Sequence, residues 1–192
     1  MEHQTHYFLA LALPGQTKEL LYKWRELLEP KLPFKTWVHP EDLHITLAFL
    51  GGTASFIQLT EVKKKIKLLS AQHSSFPLQI NGIGTFGKKE SPRILWAGVN
   101  ESEPLYSLQH DVYQACVDSG FILDKRSYSP HITLARRWIS EERYPFDTVN
   151  EIVQPKEEHC GFLAENVVLY QTHMKRTPKY QPLSIFTMEN GK

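Results

Sequence analysis

The tetrapeptide His-Ile-Thr-Leu occurs twice, as His44-Ile45-Thr46-Leu47 and as His131-Ile132-Thr133-Leu134, once in each half of the chain. No other feature constrains the fold as much. On an extended strand side chains alternate between faces, so His and Thr emerge together on one face while Ile and Leu emerge on the other. Each copy therefore asks for a strand with one face packed against apolar neighbours and one face turned to an opening. A bare His-x-Thr triplet is a weak signal, and His3-Gln4-Thr5, in a terminus without a strand pattern, supplies one that lacks this setting.

The remaining segments supply what such strands pack against. Residues 7–13 form an apolar run ending at Pro14-Gly15, and helical spacing follows over 17–32, with Leu20, Leu21, Trp24, Leu27 and Leu28 on one stripe. A strand over 43–50 precedes a helix over 56–69 whose lysines, Lys63 to Lys65 and Lys67, face largely outward. Segments 76–86 and 94–99 read as a hairpin across the turn-like residues 87–92. The second half partly repeats this order: a helix over 104–119, a strand over 131–135, a short helix over 147–153, then strands over 162–171 and 180–188. No linker rich in Pro, Gly or Ser divides the chain. Residues 1–192 are therefore expected to form one two-lobed unit of the α+β class, with two antiparallel sheets related by a pseudo-two-fold axis around a central cleft and helices on the outer faces.

Composition narrows the functional classes. A length of 192 residues with 41% hydrophobic content is enough for one sizeable core. No run approaches the roughly 18 apolar residues of a membrane span and the start lacks the basic segment of a secretory signal, so a cytoplasmic address away from membranes is expected. Cys116 and Cys160 are too few for a disulfide framework and lack zinc-site spacing. A net charge of +1 gives no field for avid duplex binding, yet it is compatible with a short RNA end. Small basic clusters stand at Lys63-Lys64-Lys65, Lys88-Lys89, Arg136-Arg137 and Lys175-Arg176.

Two imidazoles and two hydroxyls converging on one cleft suit a phosphate ester. Hydrolysing a cyclic phosphodiester requires a proton taken from water on one side of phosphorus and a proton given to the departing ribose oxygen on the other. Histidine, with a reference pKa of about 6.5, serves in both states near neutral pH, and each positioned proton transfer contributes about 10²–10⁴-fold. Threonine hydroxyls can hold the non-bridging oxygens and keep phosphorus in line. No metal or other cofactor is required by this scheme.

These residues resemble the two-histidine phosphoesterases, and within them the bacterial and archaeal RNA 2',3'-cyclic phosphodiesterases of the LigT-like 2'-5' RNA ligase family. The likeness spans nearly the whole chain. It includes the strand from Tyr7 to Pro14, the segment from Asp42 to Gly51, the segment from Ser129 to Arg136, and a late segment containing Lys175-Arg176 and Tyr180. The resemblance implies a bilobal fold of two antiparallel sheets lining a groove, a cyclic phosphodiesterase that opens the ring to a 2'-phosphomonoester, and no metal. By that analogy His131 is the general base, His44 the general acid, and Thr46 and Thr133 phosphate ligands, although identical motifs leave the two proton roles exchangeable. Among substrate-binding residues the family pattern favours Arg136, whereas strict alternation puts Arg137 on the histidine face. Phe8 shares a face with His6 and Ala10, near the groove in relatives, where it could stack on a base or pack in the core. The family often has arginine where His6 stands, which weakens any phosphate contact there. Arg176 and Tyr180 correspond to positions near the groove's edge.

RNA 3' ends or small cyclic nucleotides are the substrates this reading implies, with no protein partner. Its rivals are the reverse 2'-5' joining reaction, a non-catalytic RNA-end binding module, and a metal hydrolase built on His159, His173 or the cysteines. The last lacks any compact ligand motif.

Overall fold

The two motif strands lie side by side at the middle of the sheet. In a computed structural model, which describes residues 5–52, 54–153 and 160–190, the elements run β1 (Tyr7–Ala12), α1 (Gly15–Leu28), β2 (Phe34–Trp37), a 3-10 turn (Pro40–Asp42), β3 (His44–Gly51), α2 (Phe56–Ser70), β4 (Phe76–Lys88), β5 (Ser91–Val99), α3 (Glu103–Val117), β6 (His131–Trp138), α4 (Phe146–Ile152), β7 (Gly161–Ala164), β8 (Asn166–Thr172) and β9 (Tyr180–Thr187). Strand order is β7-β4-β5-β6-β3-β1-β8-β9, with β2 pairing the far half of β6. Each pairing between these strands is antiparallel.

The expected α+β architecture is present, with one correction. The strands form a single hydrogen-bonded path rather than two separate sheets, because β3 and β6 meet through the pair Ile45 and Ile132. From that seam the path runs outward through β6, β5, β4 and β7 on one side and through β3, β1, β8 and β9 on the other. Ile45 and Ile132 have no exposed surface, and with Leu9, Leu11, Leu95, Leu105, Leu108 and Val112 they belong to one core. α3 packs on β3 and on α2, and α1 packs on α4. Each fully buried aliphatic side chain in this layer contributes about 1.5–3 kcal/mol.

Three local readings change. The first helix ends at Leu28, not 32, since Pro30 and Pro33 cannot donate to a continuing helix. The four residues of β2 were too short to register as a strand, yet they pair Thr36 with Arg136 and Trp37 with Ala135. The strand expected over 162–171 divides at Glu165, with β7 joining β4 and β8 joining β1, so one apolar run serves both ends of the sheet. His3 and His159 lie outside the described residues. No helix among the described residues is long and apolar enough to cross a membrane.

Candidate active site

His44 opens β3 and His131 opens β6. Residues directly opposed across antiparallel strands share a face, so the Ile45 and Ile132 pair sends both isoleucines to the helix side. His44, Thr46, His131 and Thr133 are half-buried on the other side. Carried one step each way, that register sets His44 across from Thr133 and Thr46 across from His131.

Each ring is held by the backbone two residues before it. His44 Nδ1 lies 2.7 Å from the Asp42 carbonyl oxygen, and His131 Nδ1 lies 2.8 Å from that of Ser129. A carbonyl only accepts, so both Nδ1 atoms carry hydrogen, and in the neutral rings Nε2 holds the free lone pair. The Thr46 hydroxyl then donates to His44 Nε2 at 3.1 Å. Backbone carbonyl and threonine hydroxyl together fix the orientation of the His44 ring.

The electrostatics separate the two rings. Burial pulls the His44 pKa from 6.5 down to about 4, with the Asp42 carbonyl opposing the shift and the charges of Arg136 and His131 adding to it. Burial also lowers the His131 pKa, the Ser129 carbonyl opposes this, and Arg136 again adds. Arg136 thus acts on both imidazoles.

How Arg136 comes to face the site is a matter of one extra residue. β5 pairs Trp96 with Thr133 but Leu95 with Ala135, leaving Leu134 as a bulge, and both Leu134 and Ala135 are buried. The bulge inverts alternation beyond it and moves Arg136, five residues from His131, onto the histidine's face. Arg137, within β6, is exposed and has a φ of 65°, in the left-handed region and not in regular strand conformation. β3 carries the same irregularity: Ala10 pairs with Thr46 and Leu9 with Ala48, leaving Leu47 extra.

Of the other expected residues, Tyr180 and Phe8 gather around His44, with ring centroids 5.3 Å and 4.8 Å from it. Phe8 is 3% exposed, so it packs as a wall behind the imidazole and offers almost no face to a base. Burial raises the Tyr180 pKa, while the charge of Arg136 and its hydrogen bond to the phenol oppose that. Arg176 instead donates to Gln181 on the exposed surface at 3.2 Å.

Sequence reasoning missed Asp42, Tyr170, Phe86 and Trp96. The carboxylate of Asp42, 4% exposed, accepts from the backbone N–H groups of Lys179 and Tyr180, at 2.9 Å each, and so clamps the start of β9 over His44. Tyr170 completes the wall at 6.1 Å from His44. Phe86 and Trp96 flank His131 at 4.8 Å and 6.4 Å. The acid two residues before the motif was a visible signal for Asp42, but its partners lie 137 and 138 positions away. Among the described residues no three His, Cys, Asp or Glu side chains form a group able to hold a metal. Cys116 is buried in α3, with its thiol pushed up to about 12 by burial.

The family model for the 2'-5' RNA ligase superfamily matches residues 14–176. A Geobacillus stearothermophilus protein named RNA 2',3'-cyclic phosphodiesterase is 37% identical over 96% of this chain, and the chain spans 58% of that protein's length. A Bacillus subtilis protein of the same name is 32% identical over 95% of this chain and 96% of its own length. In fold, E. coli LigT, solved with 3'-AMP, superposes with a TM-score of 0.74 at 24% identity, covering 97% of this chain and 99% of that one. A Thermus thermophilus structure gives 0.77 at 23% identity, covering 97% and 100%. The duplicated motif on adjacent central strands and a match running through both copies make one conclusion: the chain belongs to the 2'-5' RNA ligase superfamily.

Proposed function

We propose that the protein hydrolyses 2',3'-cyclic phosphate ends of RNA, or small cyclic nucleotides, to 2'-phosphomonoesters by metal-independent acid-base catalysis at His44 and His131. The observation that carries this reading is that both imidazoles are fixed through Nδ1–H to a backbone carbonyl, leaving two Nε2 atoms on one face of the sheet beside two threonines. The names borne by the relatives from Geobacillus and Bacillus support the same substrate class.

In the reaction a water oxygen bonds to phosphorus while the bond from phosphorus to the ribose 3'-oxygen breaks. His131 takes the proton from water, His44 gives a proton to the 3'-oxygen, and Thr46 and Thr133 hold the non-bridging oxygens. Arg136 offers a cation to the phosphate. A His44 pKa of about 4 means that the free protein holds this ring neutral at pH 7. The bound phosphate anion must therefore raise it for His44 to act as acid; the exchanged assignment, with neutral His44 as base, asks the same of His131, whose pKa burial also lowers. A substrate with sulfur in place of the 3'-oxygen separates the two, because a thiolate leaves without a proton. His44→Ala and His131→Ala each lower turnover of the ordinary substrate about 10²–10⁴-fold. Rescue of His44→Ala by the sulfur substrate establishes His44 as acid, and rescue of His131→Ala alone reverses the roles. Turnover in excess chelator tests metal independence. Binding of the cyclic-phosphate end without turnover would leave only a binding module.

The superfamily's description favours a second direction, joining RNA ends through a 2'-5' bond with the same proton transfers reversed. Product analysis with paired RNA ends distinguishes it.

A further inference from the structure

Phe49 is a large aromatic residue placed in the middle of the sheet and left 56% exposed. It stands directly opposite Phe8 in the pairing of β1 with β3, and opposed residues share a face. The Phe8 ring in turn contacts His44, so Phe49 lies on the catalytic face. The bulge at Leu47 puts it there: without the extra residue, alternation would turn position 49 into the core. In β6 the matching place, fifth after the histidine and first after the bulged pair, holds Arg136, which acts on both imidazoles. The Phe49 ring is also backed. His6, two residues before Phe8 and on the same face, stacks on it with centroids 5.9 Å apart and planes 30° apart. The result is a pair of stacked rings, inclined by 30°, with Phe49 still more than half exposed.

We propose that Phe49, supported by His6, is the stacking platform for the nucleobase of the nucleotide next to the cyclic-phosphate end. The inference rests on the proposed function, and it selects RNA ends over small cyclic nucleotides as the better substrates. Reach decides which base is meant. His44 pairs with Ala12 and Phe49 with Phe8, four residues apart on β1, so the two lie about 13 Å apart at the backbone at about 3.3 Å per residue. The terminal ribose is part of the reacting ring and must sit at the histidines, so its own base is only one sugar away. The adjoining nucleotide is the one whose base arrives at Phe49. Stacking of this kind accepts any base, because every base has a π face.

The test uses two dinucleotides ending in a 2',3'-cyclic phosphate, one with both bases and one abasic at the first nucleotide. The wild-type protein is expected to show kcat/KM about tenfold higher for the base-bearing dinucleotide, with the difference in KM. Phe49→Ala brings that ratio to about one, and Phe49→Trp keeps it. A wild-type ratio of one, or an undiminished ratio in Phe49→Ala, overturns the platform. If the wild-type protein turns over neither dinucleotide, the proposed activity has failed. Fluorescence anisotropy with the same labelled pair then decides the stacking on its own. A preference for the base-bearing dinucleotide that disappears in Phe49→Ala upholds it, and equal binding of the two overturns it.

Discussion

His44 is walled by Phe8, Tyr170 and Tyr180, rings drawn from three strands, whereas His131 meets Phe86 and Trp96 from a single hairpin. The contacts local in sequence are alike: both rings donate Nδ1–H to the carbonyl two residues earlier, and both strands bulge at the motif's final leucine. Long-range contacts make the difference. On the His44 side the Asp42 carboxylate draws the start of β9 down onto the ring, and burial takes the imidazole to about 4. At the matching position before His131 stands the exposed residue Ser129. A duplicated motif therefore fixes where a side chain points, while the rest of the sheet fixes how readily it takes a proton.

The clamp is the largest part of that difference. Asp42→Ala deletes two hydrogen bonds to a charged acceptor, each worth about 2 kcal/mol, and leaves two N–H groups without it. We expect about 4 kcal/mol lost in chemical denaturation, together with reduced turnover as Tyr180 leaves His44. Ser129→Ala keeps the carbonyl that orients His131 and should cost under about 0.5 kcal/mol. Similar losses in the two variants would show that the halves do not differ in this way.

Next in size is a pH effect. The folded protein holds the His44 pKa at about 4 against an ordinary 6.5, so the unfolded chain binds a proton there that the folded chain refuses. Stability is thus fully present above pH 6.5 and falls as the pH drops toward 4. At about 1.4 kcal/mol per pH unit the loss approaches 3 kcal/mol. Denaturant midpoints at pH 7.5 and 4.5 should show His44→Gln losing less on acidification than the wild-type protein. Parallel curves would mean that His44 titrates alike in both states. The same measurement on His131→Gln sets the two environments side by side.

Much of this was legible in the sequence. Alternation within His-Ile-Thr-Leu gave the strands, their buried faces and the four polar side chains, because a period of two is a local property. The bulges were half-visible. Leu47-Ala48 and Leu134-Ala135 each place two apolar residues in succession, and both pairs are buried. Strict parity favoured Arg137 because it assumed a regular strand. β2 escaped notice because four residues carry too little pattern, and the break at Glu165 because strand partners are chosen by the whole sheet. The clamp by Asp42 joins residues more than a hundred positions apart, and no local rule reports such a pairing.

The smallest effect concerns how each half fills the space beside its threonine. Trp96 stands across from Thr133 and Gly84 across from Trp96; on the other side Ala10 stands across from Thr46 and Val168 across from Ala10. Large and small are exchanged. A Cβ at Gly84 would collide with the Trp96 indole, so the glycine is the space the ring occupies. Among the described residues the buried indole N–H has no hydrogen-bond partner, and the ring packs against Phe86 beside His131. Gly84→Ala should therefore push the indole toward His131, costing about 2 kcal/mol by overpacking and lowering turnover. Trp96→Leu vacates the same volume, so in its background Gly84→Ala should cost about 1 kcal/mol less. Additive losses in the double variant would mean that Gly84 answers to the backbone and not to the ring.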